Sequence, residues 1–243
     1  MKSNNAIQFR SLYEGFDTPL TGLDCGFKCA PHNPRGIPFC CDLEYTVPVA
    51  YQSEWRYLSG HTSLWRPWRG GLSASEKEAF ADLQRQIPEH LCLLQCLGAR
   101  SCDRSYRTLS CRQFPFFPYL NSHARFIGLT YDWEFRHQCW VISNLRLVSD
   151  IYRKEFIHTF DQLFQTWPED MQCYADLCVE TRAYYQAERR RIPLLHRDGS
   201  FCLISPCSER VQRVSAERLP RFTPYIPAQS TPTPIKTQAK IDD

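Results

Sequence analysis

The cysteines constrain this chain more than any other feature of its sequence. Thirteen are present among 243 residues, and an odd number cannot be used up by a complete set of intramolecular disulfides. The start, MKSNNAIQFR, has one lysine and no apolar stretch behind it, so it does not have the pattern of a secretory signal. We therefore expect a cytoplasmic protein, where thiols stay reduced and many cysteines indicate metal or redox chemistry. A disulfide-rich fold and scattered core cysteines are the alternatives.

Composition narrows the range of partners. The net charge is only +3, too small to indicate binding to nucleic acid or to an anionic membrane. No apolar run approaches the roughly 20 residues that cross a bilayer. Aromatic residues make up 14% of the chain, enough to build a large core. The expected partner is a metal ion, with a protein partner left open and neither nucleic acid nor membrane expected.

The cysteines fall into groups along the chain. The first group lies in a loop rich in proline and glycine and comprises Cys25, Cys29, Cys40 and Cys41. The second comprises Cys92, Cys96, Cys102 and Cys111, and Cys139 follows alone. Two groups separated by a helical insert are typical of a thiolate cage, because short loops bring pairs of sulfur atoms to one centre. Thiolates suit zinc or iron–sulfur clusters and suit magnesium or calcium poorly.

Two adjacent cysteines carry a further implication. Cys40 and Cys41 cannot easily chelate the same ion in relaxed geometry. They therefore indicate either two nearby centres, or one ligand and one thiol just outside the ligand set.

The order of these residues resembles a known family. A double cysteine is followed by a helical insert, then by Cys92 or Cys96, Cys102 and Tyr106, and then by CRQFPF from Cys111 to Phe116. This order is similar to that of the YkgJ-like CxxCxxCC cysteine-cluster family, a zinc- or iron-chelating domain that also occurs within flagellin lysine-N-methylases. The resemblance covers roughly residues 23–139. It departs from the family in the ten residues between Cys29 and Cys40, and in YRTLSCR, which lacks the usual Arg-Pro.

The resemblance implies a metal site, with zinc or iron as the cofactor and the iron either alone or in an iron–sulfur cluster. The expected metal ligands are Cys25, Cys29, Cys40, Cys41, Cys92, Cys102, Cys111 and Cys139. A four-thiolate zinc centre carries a net charge of about −2, which is costly to bury uncompensated. Arg112, next to Cys111, is therefore expected to offset this charge, with the FPFFP run as a dry wall over the site. The alternative is that Arg112 points to solvent and the phenylalanines belong to the core.

Other candidates have weaker claims. His32 and His137 lie near the cysteines and can ligate a metal, but ordinary loop histidines are the more frequent case. Cys173 and Cys178 lie five apart on a predicted helix, so they share a face poorly and read as packing residues. Cys202 and Cys207 are left open. The signatures GxxxxGK[ST], GxGxxG, HExxH and GxSxG are absent from the sequence.

Local patterns predict two elements in the first half. PVAYQSEWRYL, residues 48–58, opens with proline and predicts a short helix, and LWRPWRGG reads as a connector. In the segment SASEKEAFADLQRQI, apolar residues recur at helical spacing. Ser73 or Ser75 can cap that helix, with Glu76 or Glu78 three residues later.

The second half has clearer patterns. The segment Ala124 to Phe135 is rich in aromatic and β-branched residues, which predicts a strand. From Asn144 an apolar stripe in steps of three and four predicts a long helix, and Pro168 begins another. IPLLHRDGSFCLI predicts a hairpin that turns at Asp198-Gly199.

The predicted fold class is α+β, mainly helical. A cysteine-rich, loop-rich metal-binding half packs on two long C-terminal helices and a hairpin. Residues 1–215 are expected to form a single domain, and residues 216–243 a proline- and threonine-rich disordered tail. Three functions fit this outline: a metal-binding protein, an enzyme with an iron–sulfur or open metal site that resembles a lysine-modifying methylase, or an interaction adaptor.

Overall fold

A five-stranded antiparallel sheet organises the second half of the chain in our computed structural model, which describes residues 8–70 and 74–226. The strands run in the order β4-β5-β6-β7-β8. Their bounds are β4 Phe116–Leu120, β5 Phe126–Tyr131, β6 Ile192–His196, β7 Phe201–Ile204 and β8 Val211–Val214. Gly128 of β5 faces β6 so closely that a Cβ would lie 2.4 Å from the Leu195 carbonyl oxygen. The strand predicted within 124–135 and the hairpin at Asp198-Gly199 are both confirmed.

Two long helices pack on this sheet, α6 (Asp150–Thr166) and α7 (Pro168–Ala187). The apolar stripe predicted for the first of them is buried, as Phe156 and Phe160 show. The helix begins later than Asn144, because the Ser149 side chain caps it by accepting from the Tyr152 amide. Residues 140–147 form a 3-10 segment instead. Pro168 starts α7 as predicted.

The first half contains a small antiparallel sheet in the order β1-β3-β2. Its strands are β1 Val49–Tyr51, β2 Trp65–Pro67 and β3 Leu91–Cys96. The helix predicted over residues 48–58 is shifted, because residues 49–51 pair with β3 and α3 (Gln52–His61) begins only after them. The predicted connector LWRPWRGG contains β2, which pairs with the other end of β3. Both differences arise from pairing with a distant strand, which outweighs local pattern.

Four shorter or outlying helices complete the fold: α1 Phe9–Gly15, α2 Gly26–Cys29, α4 Ala74–Gln86 and α5 Leu109–Gln113. The predicted helix within 73–87 is confirmed by α4. Its expected caps, Ser73 and the side chain of Ser75, lie outside the described residues. Of the expected tail, Leu219 and Phe222 are buried in the core, and residues 227–243 lie outside the description.

The elements share one core. Buried side chains from Phe9 to Phe222 form a single apolar cluster that includes both sheets. The architecture is α+β, as predicted, with more helix than strand among the described residues. None of the described helices is both long enough and apolar enough to cross a membrane.

Candidate metal centre

All thirteen cysteines are free thiols, so the disulfide-rich alternative is not realised. In the N-terminal half, Cys92 and Cys96 lie in β3 and Cys111 lies in α5, whereas the others lie in or next to short helical turns and connections. Cys25 and Cys29 bracket α2, where the Cys29 amide donates to the Cys25 carbonyl at 3.2 Å. Cys40 and Cys41 lie in a 3-10 turn, Phe39–Cys41. Such turns allow several sulfur atoms to face one region without a regular element between them.

The ten residues between Cys29 and Cys40 close into a compact loop. The Asn33 side-chain amide donates to Asp42 Oδ2 at 3.0 Å and to the Ile37 carbonyl at 2.9 Å. Arg35 forms an ion pair with the buried Asp42 at 2.9 Å. This network holds the ends of the loop together, so the longer spacing still brings the two pairs of cysteines close. This network was not predicted, although Asn33 and Asp42, which flank a loop containing proline and glycine, are a signal for it.

A first group of interacting thiols comprises Cys25, Cys29, Cys40 and Cys139. Burial, followed by the Cys29 thiol, raises the pKa of Cys25 to about 11. Burial, followed by Cys25, also raises the pKa of Cys139, and Cys29 adds to that shift. The pKa of Cys40 is raised mainly by its hydrogen bond with Cys41, and Cys139 and Cys25 contribute to the rise. Thiols from three segments of the chain therefore lie close enough to affect each other's charge.

A second group comprises Cys41, Cys96, Cys102 and Cys111. Burial raises the pKa of Cys111 to about 12, and Cys41 and Cys96 raise it further. Burial also raises the pKa of Cys96, to which Cys41 and Cys102 contribute. Cys111 is held by its helix cap, since its amide donates to the Thr108 hydroxyl at 3.2 Å.

The adjacent pair Cys40-Cys41 connects the two groups. Cys40 interacts with Cys139 and Cys25, whereas Cys41 interacts with Cys96 and Cys111 and also with Cys29. The hydrogen bond from Cys40, together with the charge of Arg107, lowers the pKa of Cys41 to about 7, against the effect of burial. Cys41 is therefore the cysteine closest to a thiolate at neutral pH in this pair. Of the two possibilities left open for adjacent cysteines, the pattern favours two neighbouring groups.

Arg107 brings a positive charge to these thiols. Its Nε donates to the Cys102 sulfur at 3.0 Å. It also acts to lower the pKa values of Cys25, Cys41 and Cys111, so both groups feel its charge. Arg107 was not among the predicted site residues, although an arginine five residues after the candidate ligand Cys102 is a recognisable signal for a compensating charge.

Arg112 has a different environment from the one expected. It is only 1% exposed, and its guanidinium donates to an aspartate and five backbone carbonyls. These acceptors are Asp17 Oδ1 and the carbonyls of Tyr13, Phe16, Arg104, Ser105 and Arg107. The guanidinium also lies over the Tyr13 ring, 4.4 Å from its centroid. Among the described residues its hydrogen bonds go to oxygen atoms, so Arg112 fixes the chain that carries Cys102 and Cys111.

Cys92, one of the expected ligands, lies apart from both groups. Burial, followed by Glu54, raises its pKa to about 11. Cys92 and Cys96 lie at opposite ends of β3, a separation of about 13 Å at the usual rise per residue. Only Cys96 reaches the turn that leads to Cys102, where the Gly98 amide donates to its sulfur at 3.4 Å. The structure thus brings Cys96, rather than Cys92, to the other cysteines.

The remaining candidates have other surroundings. Cys178 is buried and its sulfur accepts from the Leu120 amide at 3.2 Å, which confirms a packing role. Cys202 is buried beside Ser200, and Cys173 and Cys207 are exposed. His32 packs against the Tyr225 ring, and His137 Nδ1 lies 3.0 Å from the Thr223 carbonyl.

The thiols lie near one another, but they are not already arranged around a common point. Within residues 8–70 and 74–226, no three or more His, Cys, Asp or Glu side chains are already arranged to hold a metal ion. Rotation about χ1 moves a cysteine sulfur without moving the backbone, so the arrangement of the thiols is not fixed by the fold alone.

A cavity of about 600 Å³ lies beside members of both groups of thiols. Cys40 and Cys111 form part of its wall, together with Phe114, Pro115 and Phe116 of the FPFFP run. The run therefore borders the cysteines, as expected, and it enters the core as strand β4.

A chain of hydrogen bonds lies at another part of the cavity wall. Asp170 Oδ2 accepts from the Tyr51 hydroxyl at 2.5 Å, and Asp170 Oδ1 lies 2.7 Å from His90 Nε2. The Tyr51 ring stacks on Trp167, with 4.2 Å between the centroids. Asp170 lies in the first turn of α7, where its charge matches the helix dipole, and this buried network is an additional role.

Glu54 is a fully buried carboxyl at the same wall. It accepts from the Tyr13 hydroxyl at 2.6 Å and from the amides of Leu109 and Tyr51 at 2.7 and 3.2 Å. Burial raises its pKa to about 7, although these hydrogen bonds and the charge of Arg112 act in the opposite direction.

This raised pKa predicts a pH dependence of stability. Between the ordinary carboxyl pKa and about 7 the native state keeps a proton that the unfolded state releases, so the free energy of unfolding falls as pH rises. The fall should total about 3 kcal/mol across this window. Urea unfolding of wild type and Glu54→Gln from pH 5 to 8 checks it. The difference between the two should change with pH, and a constant difference would contradict the prediction.

Comparison of this chain with protein-family models, with curated proteins and with solved structures finds no match.

Proposed function

We propose that the protein binds zinc or iron, the iron either alone or as an iron–sulfur cluster, through its clustered cysteines. The observation that supports the proposal is that free thiols from distant segments of the chain lie near one another and near the Arg107 guanidinium, whose Nε donates to the Cys102 sulfur at 3.0 Å. Thiols that raise each other's pKa in a buried region cannot all be thiolates without a cation to compensate them. A soft metal ion supplies that charge.

The proposed ligands form two sets of four. One set is Cys25, Cys29, Cys40 and Cys139, and the other is Cys41, Cys96, Cys102 and Cys111. Four thiolates are the usual complement of a structural zinc ion or of an iron–sulfur cluster. Arg107 is the residue we propose to offset part of the negative charge, since it already contacts Cys102. When bound, the metal would cross-link the loops and, if iron, supply electron transfer.

Metal content and an absorption spectrum test the proposal directly. Protein purified anaerobically under reducing conditions should contain two zinc ions, or iron in proportion to two centres. A colourless protein with zinc indicates a structural role, whereas broad absorption near ~400 nm indicates a thiolate-bound iron–sulfur cluster. Protein that contains neither zinc nor iron in stoichiometric amounts would refute the proposal.

Substitution of single cysteines tests the assignment of ligands. Cys111→Ser should remove about half of the bound metal, since it belongs to one of two sets, and should lower the melting temperature. Cys139→Ser should do the same through the other set. Cys173→Ser is the matched control: Cys173 is exposed and should change neither quantity. Equal losses from Cys111→Ser and Cys173→Ser would contradict the grouping.

A second candidate function is an enzyme that uses the metal site. The cavity beside Cys40 and Cys111 favours it, because a substrate there would lie next to both sets of thiols. The Tyr51, Asp170 and His90 chain would provide groups for proton transfer. A lysine-N-methylase-like activity follows from the family resemblance alone. An enzyme should convert a substrate only when the metal is bound, and Asp170→Asn should lose this activity while its metal content stays unchanged. A purely structural centre would show no such activity.

A further inference from the structure

The cavity beside the cysteines has the size and lining of a small-molecule site. Its volume of about 600 Å³ lies within the range of ligand pockets, roughly 300–1,000 Å³. The walls are mainly apolar and aromatic and come from both sheets and from helices α6 and α7. They include Val47, Leu91, Phe135, Leu177 and the rings of Tyr45 and Tyr174. A space of this kind favours a ligand with an apolar body.

The charged groups in the wall all have one sign. Three carboxyl groups line the cavity, those of Glu54, Asp132 and Asp170, and none of its described lining residues is a lysine, arginine or histidine. Glu54 is influenced by Arg112 behind the wall, and Asp170 contacts His90. Asp132 has no ion-pair partner among the described residues. The electrostatic field inside therefore favours a cation and opposes an anion.

Asp132 is positioned to face a ligand. Its Oδ1 accepts from the Glu134 amide at 3.0 Å, and its amide donates to the Pro115 carbonyl at 3.0 Å. The residue is therefore fixed beside Phe114 and Phe135, whose rings meet edge to face at 4.9 Å. No hydrogen bond to Oδ2 is found in the described part of the chain. Burial raises the pKa of Asp132, which means that its charged form lacks compensation.

Thr46 supplies a second, independent polar group. It lines the cavity, and its buried hydroxyl has no hydrogen-bond partner in the described part of the chain. Buried hydroxyls nearly always find a partner. The hydroxyl oxygen has almost no accessible surface, so a ligand reaches it only when the Thr46 side chain turns towards the cavity.

From these features we infer that the cavity binds a small organic cation, an ammonium group carried on an apolar or aromatic body, with the ammonium at Asp132. The carboxylate supplies the opposite charge, and the aromatic walls favour a cation over their ring faces. The apolar body fills the space towards Leu91 and Leu177. This inference does not depend on the metal proposal, since none of the groups that hold the cation is a cysteine.

Three probes with the same body and different charge test it: 4-phenylbutylamine, 4-phenyl-1-butanol and 4-phenylbutyrate. Calorimetric titration of the full chain at neutral pH should give the tightest binding for the amine. The alcohol should bind at least about tenfold more weakly, and the acid more weakly still, because a buried carboxylate discriminates strongly by charge.

Two variants locate the site. Asp132→Asn keeps the hydrogen bond to the Glu134 amide and removes the charge, so it should lower amine affinity about tenfold and leave the alcohol unchanged. Glu134→Gln, an exposed neighbour outside the cavity wall, should change neither. Val47→Trp should weaken both probes by filling the space. The inference is overturned if none of the probes binds, if the acid binds as tightly as the amine, or if Asp132→Asn leaves the preference unchanged.

Discussion

The proposed metal site predicts that a chelator, under reducing conditions, destabilises the cysteine-bearing half of the molecule more than any other treatment. A structural zinc supplies on the order of 10 kcal/mol of folding free energy, which is comparable with the whole stability of an ordinary domain. The segments from Cys25 to Cys41 and from Cys96 to Cys111 consist mainly of short turns. Apart from the proposed ligation, these turns are held by the Asn33–Asp42 network and by the hydrogen bonds from Arg112 to residues 104, 105 and 107, and each of these acts on only one of the two segments.

Hydrogen exchange before and after chelation is the measurement that resolves this effect. Amides of the two cysteine segments should lose their protection, whereas the central strands β5, β6 and β7 should keep most of theirs, because they pair with each other and pack under α6 and α7. Restoring zinc or iron should restore the protection. Identical exchange with and without chelator would mean that no metal supports these segments.

Arg112→Ala should be the most damaging single substitution outside the cysteines, with a loss of about 3–5 kcal/mol of unfolding free energy. The guanidinium ties α1 to the turns between residues 104 and 107 through six hydrogen bonds. Truncation leaves buried carbonyls without donors and removes the contact with the Tyr13 ring. Arg112→Lys should rescue little, because an ammonium cannot reproduce the planar fork.

Urea unfolding measures this loss, and Arg125→Ala provides the matched control. Arg125 is exposed, so its truncation should change stability by no more than about 0.5 kcal/mol. If Arg112→Ala were as mild as Arg125→Ala, Arg112 would not have the anchoring role that its contacts indicate.

The elements that sequence patterns predicted correctly are those that local chemistry determines. Pro168 starts α7 because its fixed φ suits the first helical turn, and Asp198-Gly199 turns a hairpin. The strands β1 and β2 were missed because each has only three residues and owes its conformation to pairing with β3. A short local window does not contain that information.

In the candidate site, too, local sequence predicted some features, and the fold determined the others. Clustering of cysteines along the sequence predicted which segments carry the candidate ligands, but it could not distinguish the two members of a pair. Cys92 and Cys96 are equivalent by spacing, and only the direction of β3 separates them. Arg112 follows Cys111 directly, yet successive residues of a helix point about 100° apart. The arginine therefore turns towards α1, and Arg107, five residues earlier, donates instead to the sulfur of Cys102.

Cys139 follows β5 in the sequence and lies near Cys25, which comes close to the start of the chain. In the proposed ligand set the last thiol emerges during synthesis long after the first, so the early thiols must stay reduced and unpaired while the intervening chain is made. Closing so long a loop also slows assembly. Production of the intact protein in cells or extracts should therefore depend on a reducing environment throughout translation, and not only once folding is complete.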